Sequence, residues 1–85
     1  MTNEEFREGW LGTRFRSVYR DIKDDPRHGT LHWEVFSDVT TDKYWAVSYK
    51  TKNNSRYHGI RDNNFDLDEV FQYKSMVEKI IYIRK

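Results

Sequence analysis

Residues 30–50 read TLHWEVFSDVTTDKYWAVSYK, and the reading of this stretch decides the fold. Leu31, Trp33 and Val35 alternate with His32, Glu34 and Phe36; Trp45, Val47 and Tyr49 alternate with Tyr44, Ala46, Ser48 and Lys50. A period of two puts successive side chains on opposite faces of a strand, so each half reads as a half-buried β-strand. The intervening Asp38-Val39-Thr40-Thr41-Asp42 has the length of a hairpin loop. Pairing is expected to make Trp33 and Val35 cross-strand neighbours of Trp45 and Val47.

Upstream, TRFRSVYRDI at 13–22 fits both helical and strand spacing, and its aromatic and β-branched content favours a strand. The run Lys23-Asp24-Asp25-Pro26-Arg27-His28-Gly29 reads as a turn, because proline removes a donor and glycine accepts positive φ. At the N-terminus, Thr2 and Glu5 stand at capping-box spacing. Phe6 and Trp10 are four apart and share a helical face. A short helix is therefore expected from about Asn3 to Gly9, ended by Gly9 and Gly12, with its aromatic edge docked on the sheet.

Downstream, residues 51–66 carry four Asn and a Gly without lasting period, and read as a long loop. Val70 to Arg84 reads as strand with a break near Ser75-Met76. Its last part, Ile80-Ile81-Tyr82-Ile83, is apolar on both faces, as in a central strand or a covered edge. The expected architecture is one domain over 1–85 of α+β class, β-dominant. A short N-terminal helix precedes a bent antiparallel sheet of four to five strands.

The chain has 85 residues, enough for one domain that buries roughly 60–65% of its unfolded surface. It lacks cysteine, which removes disulfides, Cys-ligated zinc and thiol catalysis. Its bulk is aromatic: three Trp, six Tyr and five Phe, more than one small core hides. Several of Tyr19, Phe36, Tyr44, Tyr57, Phe65 and Tyr73 are thus expected at the surface. No membrane association is expected, because no apolar run approaches 18 residues. MTNEEFREGW lacks the apolar core of a signal peptide, so the expected location is the cytoplasm.

No motif carries catalysis or a cofactor. Asp62-Asn63-Asn64-Phe65-Asp66 imitates the start of a calcium loop, but Leu67 stands where glycine makes the turn and Tyr73 where a bidentate Glu closes the site. His28 and His32 lie across a turn-to-strand boundary, and His58 is the one further histidine, so zinc is not expected. The serines sit in no nucleophile elbow, and the four glycines form no phosphate loop. An enzyme is not expected.

Binding is the remaining class. The net charge of +1 hides segregated blocks: −2 over 1–12, +3 over 13–23, −3 over 24–41, +4 over 42–61, −4 over 62–70 and +3 over 71–85. Such blocks orient a protein partner. Arginine and aromatic side chains dominate protein-binding hot spots. Arg56, Tyr57, His58 and Arg61, with Lys50, Lys52 and Tyr44, are the expected partner-binding set. The alternative is a nucleic-acid-binding accessory protein, in which Arg14, Arg16 and Arg20 form a phosphate-tracking row on one face of a strand. The two-sided apolar C-terminal strand also invites pairing with its copy in a homodimer.

In its general style, short, cysteine-free, aromatic-rich and charge-dense, the chain resembles the small accessory proteins encoded by bacteriophages. That likeness covers composition and no motif. It implies an inhibitor of a host enzyme or defence complex, acting in the host cytoplasm.

Overall fold

The computed structural model describes residues 1–27, 29–52, 58–74 and 80–84. One helix, α1 (Asn3–Leu11), is followed by five strands: β1 (Phe15–Asp25), β2 (Gly29–Asp38), β3 (Tyr44–Thr51), β4 (Asp66–Lys74) and β5 (Ile80–Arg84). The strands form one antiparallel meander in the order β1-β2-β3-β4-β5, so β1 and β5 are its edges. The α+β, β-dominant class read from the sequence holds.

The helix begins as its cap dictates. The Thr2 hydroxyl oxygen accepts the Glu5 amide at 3.1 Å, and Glu4 and Glu5 place negative charge at the positive end of the helix dipole. It runs two residues past the expected end, to Leu11, because the Gly12 amide still reaches Glu8 O at 3.2 Å. Gly9 lies inside the helix for a packing reason: a Cβ there would run into the Phe15 ring. That ring stacks on Phe6 with centroids 4.3 Å apart.

Of residues 13–22, those from Phe15 onward form strand, and β1 continues through Asp25, so the turn expected from Lys23 starts only at Pro26. The β2–β3 loop is built around Asp38, whose carboxylate is fully buried. It accepts from Arg14 Nε (3.2 Å) and Nη2 (2.9 Å), from the Thr40 amide and hydroxyl, and from the Thr41 hydroxyl. With the Asp38 amide bonded to Lys43 O at 2.8 Å, the loop sets a register in which odd residues of β2 face even residues of β3. Trp33 therefore meets Ser48 and Val35 meets Ala46, while Trp45 meets Phe36 and Val47 meets Glu34. The expected Trp33/Val35 to Trp45/Val47 pairing is overturned, and the two groups lie on opposite faces.

One face is sealed. Phe36, Val47 and Phe65 pack with Phe6 of the helix and with Ile60, and Trp10, Phe15, Trp45, Tyr49 and Leu67 close around them. Of the six aromatics among which several are expected at the surface, Phe36 and Phe65 are buried. Part of the expected 51–66 loop forms this seal. Backbone bonds Asp62 N to His58 O and Asn64 N to Gly59 O fold a turn that inserts the fully buried Ile60, and β4 already begins at Asp66. Leu67 gives β4 its inward residue between two outward aspartates, which is why an acidic stretch pairs as strand. The other face carries Val35, Ala46 and Val70 under Trp33, Tyr44 and Tyr82. The sheet curls over this face until Tyr19 of β1 approaches Tyr82 of β5, ring centroids 5.9 Å apart. The apolar C-terminal segment is thus an edge strand and not a central one.

Candidate functional site

The open face is built by alternation. Tyr19 pairs with Val35, Asp21 with Trp33, and Lys23 with Leu31; beyond them come Ser48 and Lys50 of β3, Asp66, Asp68 and Val70 of β4, and Tyr82 and Arg84 of β5. Four rings touch in series across it: Trp33 to Tyr19 at 5.5 Å, Tyr19 to Tyr82 at 5.9 Å, and Tyr82 to Tyr44 at 5.5 Å. The Tyr44 hydroxyl donates to Gln72 Oε1 at 3.1 Å. Burial, then the neighbouring Tyr44, raises the Tyr82 phenol above its ordinary value, so it is a neutral hydrogen-bonding group. Trp33, Tyr44 and Tyr82 are partly buried over Val35, Ala46 and Val70, and Tyr19 is 44% exposed.

At the β1–β2 hairpin end, three shallow cavities of about 270, 360 and 450 Å³ meet at Leu31, itself 41% exposed. Asp21, Lys23, Lys50, Asp66 and Arg84 ring them, alternating in sign. The Arg84 guanidinium lies 3.5 Å from Asp68.

The residues expected to bind a partner do not form one patch. Arg56 and Tyr57 lie outside the described residues, as do His28 and the side chain of Tyr73. His58 is half-buried on the sealed side, its ring stacked on Trp10 at 5.0 Å and tilted against Tyr49 at 5.4 Å. Burial, then the nearby Arg61, lowers its pKa, so it is neutral at physiological pH. Arg61 is exposed beside it, 3.7 Å from Asp62, and its carbonyl accepts from Arg7 Nε at 2.7 Å. Lys50 and Tyr44 lie on the opposite, open face near its two ends, and Lys52 is exposed past the end of β3.

The row expected of Arg14, Arg16 and Arg20 is also broken. A bulge between Ser17 and Tyr19 shifts the alternation, so Arg16 pairs opposite Ser37 on the open face while Arg20 pairs opposite Glu34 on the sealed one. Arg14 precedes β1 and is spent on Asp38, whose hydrogen bond raises its pKa. Arg20 Nη2 bonds Glu34 Oε2 at 3.1 Å, and Ser17 donates to the same oxygen at 2.6 Å. Two of the three arginines thus pair with buried carboxylates, and Arg16 and Arg20 do not share a face of the strand.

A cleft of about 200 Å³ on the sealed side is lined by Ile22, His32, Tyr49 and His58 with the Arg20–Glu34 pair. Among the described residues no three His, Asp or Glu side chains are placed to hold a metal ion, and no helix is long and apolar enough to cross a membrane. Spacing alone does not disclose the open face, because the parity of the β2–β3 register decides which residues share it. The surplus of tyrosine was its signal.

Compared with protein families, with curated proteins and with solved structures, the chain matches none of them.

Proposed function

We propose that this chain is a non-catalytic protein-binding module that docks its partner against the open face of the sheet. The observation that carries this reading is the series Trp33–Tyr19–Tyr82–Tyr44, which ties the two edges together with three rings partly exposed and Tyr19 44% exposed. Tyrosine and tryptophan give large, rigid contact area with a polar handle, the chemistry of a binding hot spot. Around the rings, Arg16, Lys23, Lys50 and Arg84 interleave with Asp21, Asp66 and Asp68. A nucleic-acid surface needs unbroken positive charge, whereas a mixed pattern suits a protein surface and sets its register. The compositional likeness to small phage accessory proteins extends the reading: the partner is a host enzyme or defence complex, inhibited by occlusion.

The test compares tagged wild-type protein with Tyr19→Ser and Leu31→Glu in capture from host lysate, with and without nuclease. Both positions are more than two-fifths exposed, so the fold tolerates the changes. The expected result is one stoichiometric protein band that survives nuclease with wild type and is lost with both variants. A band retained by both variants refutes this choice of face. Loss of the band after nuclease, with nucleic acid recovered, transfers the function to nucleic-acid binding.

A further inference from the structure

The β1 edge of the sheet carries a pattern that the open face does not use. Between the bulge at Val18 and Pro26, β1 runs regularly from Tyr19 to Asp25 at the edge of the sheet. The sequence there is Tyr-Arg-Asp-Ile-Lys-Asp-Asp, and Ile22 at its centre is 48% exposed on a strand edge. Reversed about Ile22, the stretch is its own charge complement: Arg20 maps onto Asp24, and Asp21 onto Lys23.

We infer that β1 pairs antiparallel with β1 of a second copy of this chain, centred on Ile22. In that register Ile22 opposes its own copy. Asp21 opposes Lys23 on the open face, Arg20 opposes Asp24 on the other, and the twofold axis repeats each pair. Opposed unlike charges on neighbouring strands attract and like charges repel. Sliding the register by two residues in one direction sets Asp21 against Asp21; in the other, Lys23 against Lys23 and Asp21 against Asp25. Only the Ile22-centred register is free of like pairs among these three.

The neighbouring atoms permit the pairing. Arg20 gives one nitrogen, Nη2, to Glu34 and is 62% exposed, while Asp24 gives one oxygen, Oδ1, to the Thr30 hydroxyl. Edge strands are ordinarily blunted by charge. Here the charges exclude a strand of arbitrary sequence and admit this one. The bulge at one end and the proline at the other, which lacks an amide donor, bound the ladder. The other edge, Ile80–Arg84, has one charged residue and no such complement, so the dimer expected there from the sequence moves to β1. In the β1 dimer the two sheets become continuous, with their open faces on the same side.

The experiment is sedimentation of the full chain at low salt, from low to high micromolar concentration. Wild type is expected to show a monomer–dimer equilibrium weakened by salt. Lys23→Asp and Asp21→Lys each set like charges opposite one another twice, and each weakens association by about tenfold or more. The double exchange Asp21→Lys with Lys23→Asp restores complementarity and near-wild-type association. Circular dichroism checks folding, and if a single variant does not fold the double exchange decides alone. A monomeric wild type, single variants that dimerise unchanged, or a double exchange that stays monomeric overturns the proposal.

Discussion

The two faces of the sheet carry comparable aromatic weight and treat it in opposite ways. The described rings buried under the helix and the 58–65 turn are all phenylalanine: Phe6, Phe36 and Phe65, with the half-buried Phe15 stacked on Phe6. On the open face the rings are Tyr19, Tyr44, Tyr82 and Trp33, each with a polar atom on its rim. A phenyl ring gains most when removed wholly from water. A phenol or indole keeps a hydrogen-bonding edge and is stable half-covered. The buried rings are thus the purely apolar ones, while rings with a polar rim (Trp10, Trp45 and Tyr49 on the sealed face, Trp33, Tyr44 and Tyr82 on the open one) stay partly buried at the margins.

The contrast breaks most sharply at Phe6 and Trp33. Phe6 is fully buried at the junction of helix, β1 and the turn, so Phe6→Ala removes a ring and leaves a cavity, at a cost of about 4 kcal/mol. A chain of this length has a total stability on the order of 4–13 kcal/mol, so that variant is expected near the threshold of folding in urea titration. Trp33→Ala removes a larger ring from the open face, yet the ring is partly exposed and no second layer collapses; about 1–2 kcal/mol is expected. Equal losses at the two positions would mean that the open face is as much core as the sealed one.

The sequence discloses the alternation of β2 and β3, the helix start at Thr2 and the β dominance, because each rests on local spacing. It does not disclose which faces of β2 and β3 coincide, since that depends on whether Asp38 or a neighbour closes the loop, a difference of one residue that inverts every pairing. Nor does spacing announce the bulge at Val18, which splits Arg16 from Arg20. Asp66, which closes the expected 51–66 loop, is strand once β3 supplies its partner. The candidate site was legible as a surplus of tyrosine, but not as a place. Its rings come from β1, β2, β3 and β5, and only the register and the curl bring them together.

Next in size is Asp38, which holds the loop that sets the parity of both faces. Burial pushes its carboxyl up, but the Arg14 ion pair and the Thr40 and Thr41 donors outweigh that and hold it well below the ordinary value of 3.8. A carboxylate depressed in the folded state contributes stability that is present above its unfolded pKa and lost as pH falls below about 4. Asp38→Ala is expected to cost about 3 kcal/mol at neutral pH, since Arg14 is one-third exposed and re-solvates in part. The same variant should flatten the acid limb of the stability profile below pH 4. An unchanged acid limb would assign that sensitivity to other carboxylates.

The smallest effect concerns His58, where the sealed face meets its turn. The ring faces Trp10 of the helix and Tyr49 of β3; Arg61 and Asp62 stand beside it in the turn, and Glu34 and His32 across the cleft. Burial and Arg61 lower its pKa below the ordinary 6.5, so folding favours the neutral ring. The sign follows: below pH 6.5 the unfolded chain binds a proton that the folded one resists, and stability falls with pH until the lowered folded value is reached. Urea unfolding on either side of pH 6.5 should show this slope in wild type and lose it in His58→Gln. Tyr19→Ser on the open face should leave it intact, because that face contributes no group to the His58 environment. A slope that survives His58→Gln would overturn the assignment to His58. His58 belongs to the sealed face, so mild acid should loosen the turn and helix before it disturbs the open rings.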